Sequence, residues 1–182
     1  MARIVRGDDD VIMVTEQGMS IRFPVSEVKP RHRAAGGVRG MVLGTKDRIV
    51  TMDIVIPDSK LLVISKKGYG KLTDLNKYRR QGRAGSGIKT LKITKKTGAV
   101  AAAEVIAGSD EVYLVSEKAQ VLRTSLSEIR STNSRVTQGV TIFKPQPGDS
   151  VSSIACVRDF NSTEFTKDLP PPPAKSKDNG SI

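Results

Sequence analysis

A glycine-rich basic stretch, Gln81-Gly-Arg-Ala-Gly-Ser-Gly87 followed by Ile88-Lys89-Thr90, carries the residue types with the clearest chemical meaning in this 182-residue chain. Glycines admit positive φ and let main-chain amides approach a bound anion. Arg83 adds a planar fork of donors that suits phosphate oxygens. The pattern recurs: an arginine, three spacers, a glycine and a branched apolar residue, at Arg33…Gly37-Val38, Arg83…Gly87-Ile88 and Arg135…Gly139-Val140. The second copy comes near a nucleotide P-loop, since Gly82 and Gly87 precede Lys89-Thr90. Ile88 is one residue too many, however, and no helix pattern follows to present its N-terminus. ATP binding is not expected.

The charge follows the same pattern. The chain carries a formal +11 with a pI near 10.0. Residues 29–40 contribute +4, residues 77–92 contribute +6 and residues 130–144 contribute +3, leaving the remainder at −2. The entire excess lies in one equivalent segment of each copy, which favours a polyanionic partner met along one edge. Aromatic residues are 4% of the chain and tryptophan is absent, so the stacking platforms of single-strand binders are missing. No helix is expected in the basic segments for major-groove reading. Sequence-neutral contact with duplex phosphates is the expected mode, with DNA bending offset by many contacts.

Other chemistries have little to work with. His32 is the single histidine, so no zinc ligand set can be assembled. Cys156 is the single cysteine, which excludes an internal disulfide, fits a reducing compartment and reads as a small core residue. Tyr69, Tyr78 and Tyr113 read as packing residues, and Asp8–Asp10, Asp110 and Glu111 as solvated linker acids. No Ser–His–Asp or paired-carboxylate arrangement is present, so no catalytic residue, metal or cofactor is assigned. With no apolar stretch near the ~20 residues of a membrane span and no signal-peptide core, a cytoplasmic chain is expected.

The elements that must position these residues repeat about every fifty residues. Val11-Ile-Met-Val-Thr-Glu-Gln-Gly18 returns as Leu61-Leu-Val-Ile-Ser-Lys-Lys-Gly68, 50 residues on, and as Val112-Tyr-Leu-Val-Ser-Glu-Lys-Ala119, a further 51 on. Such a period marks one supersecondary unit stacked several times. Val11–Val14, Leu61–Ile64 and Val112–Val115 read as buried strands. Gly18 and Gly68 read as tight turns into return strands at Ile21–Phe23 and Lys71–Leu72. Ala119 stands in the third copy, so that turn is expected to differ. Gly40–Leu43 with Ile49–Val55, Ile88–Ile93 with Val100–Val105, and Val140–Phe143 with Val151–Val157 complete four strands per unit, the content of a propeller blade. Single helical turns are expected near Val25–Val28, Leu75–Tyr78 and Leu126–Ile129.

The predicted class is all-β, a propeller-like array of three four-stranded blades plus a stray N-terminal strand. Residues 1–10 form the last strand of a preceding blade and a linker, because Ala2–Val5 aligns with Ala103–Ile106. Blades occupy 11–60, 61–110 and 111–160. Residues 161–182 form a tail with a polyproline II spacer at Pro170–Pro173 and disorder beyond it.

These features resemble the C-terminal domain of DNA gyrase A, a β-pinwheel. The resemblance rests on Gly18-Met-Ser-Ile-Arg-Phe-Pro-Val-Ser-Glu-Val28, Gly68-Tyr-Gly-Lys71 and Gln81–Thr90, and covers about residues 2–158. It implies blades that exchange strands and a basic rim that wraps duplex DNA and supports negative supercoiling. The family's box reads Gln-Arg-Arg-Gly-Gly-Lys-Gly; here Gln81, Arg83, Gly85 and Gly87 match while Gly82, Ala84 and Ser86 do not. The stretch is a degenerate copy, and an intact box and the strand-cleaving machinery are expected upstream, so the chain reads as a fragment. The partners implied are double-stranded DNA, the rest of gyrase A, and gyrase B in an A2B2 enzyme of the bacterial nucleoid. The phosphate contacts expected are Arg31, Arg33, Arg39, Arg79, Arg80, Arg83, Lys89, Arg130 and Arg135. The alternatives are the related C-terminal domain of topoisomerase IV, or a propeller that binds protein.

Overall fold

The computed structural model describes residues 2–108 and 111–157. Its strands are β1 (Asp10–Thr15), β2 (Met19–Pro24), β3 (Ile49–Val55), β4 (Lys60–Ser65), β5 (Tyr69–Asp74), β6 (Ile88–Lys89), β7 (Val100–Ile106), β8 (Glu111–Ser116), β9 (Val121–Ser125), β10 (Val140–Thr141) and β11 (Val151–Val157). One-turn 3-10 helices at Val25–Glu27, Leu75–Lys77 and Leu126–Glu128 follow the three hairpins. Among the described residues no helix is long and apolar enough to cross a membrane.

Three antiparallel sheets result, in the orders β3-β1-β2-β6, β10-β5-β4-β7 and β11-β8-β9. The sheets do not coincide with consecutive stretches of chain. β6 belongs to the second repeat but pairs with β2 of the first, Met19 opposite Lys89 and Ser20 opposite Ile88. β10 belongs to the third repeat but pairs with β5 of the second. Each repeat thus does not keep all four of its own strands: as the resemblance implies, blades exchange strands, and the outermost strand of the first two sheets is donated by the repeat that follows. Only two residues of Ile88–Ile93 and of Val140–Phe143 pair, and Gly40–Leu43 forms no strand. That segment has no sheet edge beside it among the described residues, and an isolated strand leaves its main-chain groups unpaired. Ala2–Val5 forms no strand either; Ile4 is 97% exposed, and Arg3 is held by Asp53 at 3.1 Å. The third sheet has no donated strand along β9 among the described residues. The expected tail, with Pro170–Pro173, lies outside the described residues.

Burial explains the strand sequences. In β4, Leu61 and Val63 pack with Ile12, Val14 and Tyr78 towards the first sheet, while Leu62 and Ile64 pack with Val112 and Leu114 towards the third. With both faces covered, four successive apolar side chains are fully buried. β8 is covered on one face, so Val112, Leu114 and Ser116 are buried in alternation with Tyr113 and Val115. The turns follow the same logic. Gly18 and Gly68 take φ of 74° and 75°, and each carbonyl accepts two amides of the next repeat, from Thr90 and Leu91 and from Ile142 and Phe143. A Cβ on Gly18 would lie 2.7 Å from the Leu91 carbonyl oxygen. Ala119 keeps the same left-handed turn, at φ 60°, where no donated strand crowds it.

Candidate nucleic-acid interface

The basic segments are built by strand donation. After its 3-10 turn, the second repeat runs along the outer edge of the first sheet: Arg80 forms a parallel bridge with Arg22, and the Gln81 amide donates to the Arg22 carbonyl at 2.7 Å. The third repeat does the same on the second sheet, through Leu72 opposite Ser131. The three segments also bond to one another. The Ala84 amide donates to the Gly40 carbonyl and the Val42 amide to the Gly85 carbonyl, both at 2.9 Å. The Lys92 amide donates to the Thr137 carbonyl at 3.0 Å. The three loops thus form one continuous rim.

Glycines set how close each loop lies. Gly87 and Gly139 have φ of 75° and 76°, and a Cβ there would come within 2.4 Å of the Ser20 carbonyl oxygen and 2.5 Å of that of Gly70. Those distances forbid any side chain. Gly37, the equivalent residue of the first repeat, would meet nothing within 4 Å. The segment after Gly87 is strand β6 and not a helix.

The predicted cations divide into two groups. Arg31, Arg33, Arg39, Arg79, Lys89 and Arg130 are exposed, and among the described residues none of the six forms a salt bridge. The other three have intramolecular partners. Arg80 pairs with Asp10 at 2.8 Å, sharing it with Arg22, which also lies 2.8 Å away. Asp10 is 4% exposed, so it is a buried counter-ion and not the solvated linker acid expected. Arg83 donates from Nη1 to the Arg39 carbonyl at 2.6 Å and from Nε to the Glu27 carbonyl at 3.2 Å, while its amide donates to the Glu27 carboxylate. Arg135 donates from Nη1 to the Lys89 carbonyl at 3.1 Å. Of the degenerate box, Gln81 and Arg83 bind the first repeat, Gly87 makes the close approach, and Gly85 holds Val42 through its carbonyl.

Sequence reasoning missed Lys71, which is fully buried beneath the third loop. Its Nζ donates to the carbonyls of Ser134, at 3.0 Å, and Arg135. Burial first, and the Arg135 charge second, pull its pKa down to about 8. It stands where the other two copies carry Ile21 and Leu122, and that break in an apolar pattern was the available signal. The loop above forms an open cavity of about 570 Å³ lined by Arg130, small polar side chains and the Gly139 main chain, a surface suited to an anion more than to an apolar ligand. Elsewhere, Tyr78 is buried with its hydroxyl 2.6 Å from that of Thr90, and Cys156 is half-buried, its thiol pKa pushed up by desolvation and by Glu104. That thiol is not activated.

Comparison with known proteins agrees with this architecture. The family described as DNA gyrase C-terminal domain, beta-propeller, matches residues 9–56, 59–107 and 110–158. The DNA gyrase A protein of Dehalogenimonas lykanthroporepellens is 38% identical over 159 residues, covering 85% of this chain and 20% of that protein. Its counterpart in Staphylococcus aureus is 33% identical over 168 residues, covering 91% of this chain and 19% of that protein. The chain therefore spans about a fifth of the length of these relatives. The solved structure of a DNA gyrase A C-terminal domain superposes with a TM-score of 0.77 at 29% identity, over 84% of this chain and 52% of that one. The C-terminal domain of a DNA topoisomerase IV gives 0.79 at 26% identity, over 86% and 49%. With three tandem sheets, donated outer strands and a family match to each repeat, this chain belongs to the DNA gyrase C-terminal domain family of β-propellers.

Proposed function

We propose that the chain binds double-stranded DNA without sequence preference, as the wrapping module of a type IIA topoisomerase, DNA gyrase. Arg31, Arg33, Arg39, Arg79, Lys89 and Arg130 are the phosphate contacts, supported by the charge of Arg80, Arg83 and Arg135. What carries the reading is the continuity of the rim: hydrogen bonds join the successive loops that bear six exposed cations, unbridged among the described residues. A continuous cationic strip spanning several blades suits a curved duplex, whose bending cost is offset by many phosphate contacts. The module itself cleaves no strand and takes no cofactor. It serves the rest of gyrase A, and gyrase B, in an A2B2 enzyme of the bacterial cytoplasm.

Titration with duplex DNA at several salt concentrations tests this. Neutralising six phosphates gives a slope of log affinity against log salt of about −5, and an affinity loss of about a thousandfold between roughly 50 and 200 mM. Saturable binding with that slope, equal for unrelated sequences, is the expected result. Absence of binding at low salt would overturn the proposal in favour of a protein-binding propeller with a solubilising rim.

A further inference from the structure

Arg83 and Arg135 stand at the arginine position that marks every repeat, and both make the same bond. Each guanidinium crosses to the previous repeat and donates to the carbonyl of the residue two beyond that repeat's glycine: Arg39 for Arg83, Lys89 for Arg135. Those two acceptor residues are themselves exposed cations of the rim. We propose that the recurring arginine is a positioning residue, which fixes the main chain under the preceding repeat's DNA-contacting cation instead of gripping phosphate itself. This inference rests on the DNA-binding reading above.

Three observations carry it. The bond recurs at both junctions, so it is a property of the repeat and not of one loop. Arg83 reaches two carbonyls at once, of Glu27 and Arg39, a task for a planar fork that a single ammonium performs poorly. Its amide is held in addition by the Glu27 carboxylate, so the loop and the side chain are fixed together. Arg33 provides the internal contrast: it occupies the equivalent position in the first repeat and is exposed, with no such bond across a junction among the described residues. It remains a direct contact. The loop that bears Arg39 forms no strand; beyond Arg39, Gly40 and Val42 bond to Ala84 and Gly85 and Met41 is buried, but the Arg39 carbonyl itself is held by the Arg83 fork. Release of the Arg83 fork therefore frees the Arg39 peptide on the near side of that anchored stretch, and a cation on a freed peptide loses its phosphate geometry.

A double-mutant cycle on duplex DNA binding, read across salt, tests this. Arg39→Gln and Arg83→Gln are each expected to lower the salt slope by about 0.9, the share of one phosphate. The double variant is expected to lower it no further, and Arg83→Lys to behave as Arg83→Gln. Arg33→Gln combined with Arg39→Gln is expected to be additive. The Arg135→Gln and Lys89→Gln pair repeats the cycle at the second junction, which guards against a folding defect at the first, and Arg83→Gln with Lys89→Gln should show no coupling. A double variant that loses about 1.8 in slope, with Arg83→Lys retaining the wild-type slope, would make Arg83 a direct contact and overturn the proposal. Unchanged affinity in Arg83→Gln would overturn it as well. Failure of the wild type to bind DNA would sink the underlying reading, and is separate from either of these.

Discussion

Residues 29–43 and 79–93 carry the same pattern of arginines, glycines and branched apolar residues, yet they fold differently. The second segment supplies strand β6 and buries Thr90 and Leu91; the first makes no strand and, although Met41 is buried like its counterpart Leu91, leaves Leu43 41% exposed where Ile93 is half-buried. The second lies on the edge of β2, whereas nothing among the described residues offers the first an edge. Local sequence sets the turn, and a neighbouring repeat decides whether that turn becomes a strand. The recurrent glycine shows this most sharply, since Gly87 is hemmed in by a carbonyl and Gly37 faces open space.

Substitution at those two glycines is the strongest way to break the comparison. Gly87→Ala combines a left-handed backbone with overlap on the Ser20 carbonyl, and is expected to cost about 3 kcal/mol in denaturant unfolding. Gly37→Ala is expected to stay within about 0.5 kcal/mol. Equal effects at the two positions would show that the first segment finds an equivalent edge in solution. Next comes Tyr78→Phe, which removes the hydroxyl bonded to buried Thr90 and should cost about 1 kcal/mol. Val28, its counterpart in the first repeat, is 39% exposed, so Val28→Ala should change little by the same assay.

A separate expected effect is on pH dependence. Lys71 has a folded pKa of about 8 against an ordinary 10.5. Between those values the unfolded chain binds more protons, so stability should rise with pH as the cost of burying the charge is relieved. Lys71→Met should lose that rising limb between pH 8 and 10.5 while keeping the rest of the profile. An identical profile in the variant would mean that Lys71 is solvated.

The repeat period made much of this legible in advance. Strands β1, β4 and β8, the turns at Gly18 and Gly68 and the three 3-10 helices all follow from patterns within one copy. Donation of β6 and β10 did not follow from those patterns, because register between distant segments leaves no local trace; the family resemblance alone implied it. The buried role of Asp10 was hidden for a similar reason: Arg80 is 70 residues away. One clue was available, since Asp10–Arg22 and Glu111–Arg123 both pair at a separation of 12, while the middle copy has Lys60 and Leu72 there. The arginine of each repeat looked like a phosphate ligand because its type and its glycine neighbours suit one. Its carbonyl partners lie 44 and 46 residues earlier, beyond any spacing rule.

Donated strands also impose an order of assembly. The first sheet spans residues 10 to 55, but its outer strand, β6, emerges only at residue 88. During synthesis, the edge of β2 stays open for the time needed to make the intervening residues, about 2–7 s at ordinary elongation rates. The second sheet repeats the delay, waiting from residue 106 to residue 140 for β10. The first two repeats are thus each closed by a successor, so these blades cannot mature one at a time, and an edge left waiting is where pairing with another chain would begin.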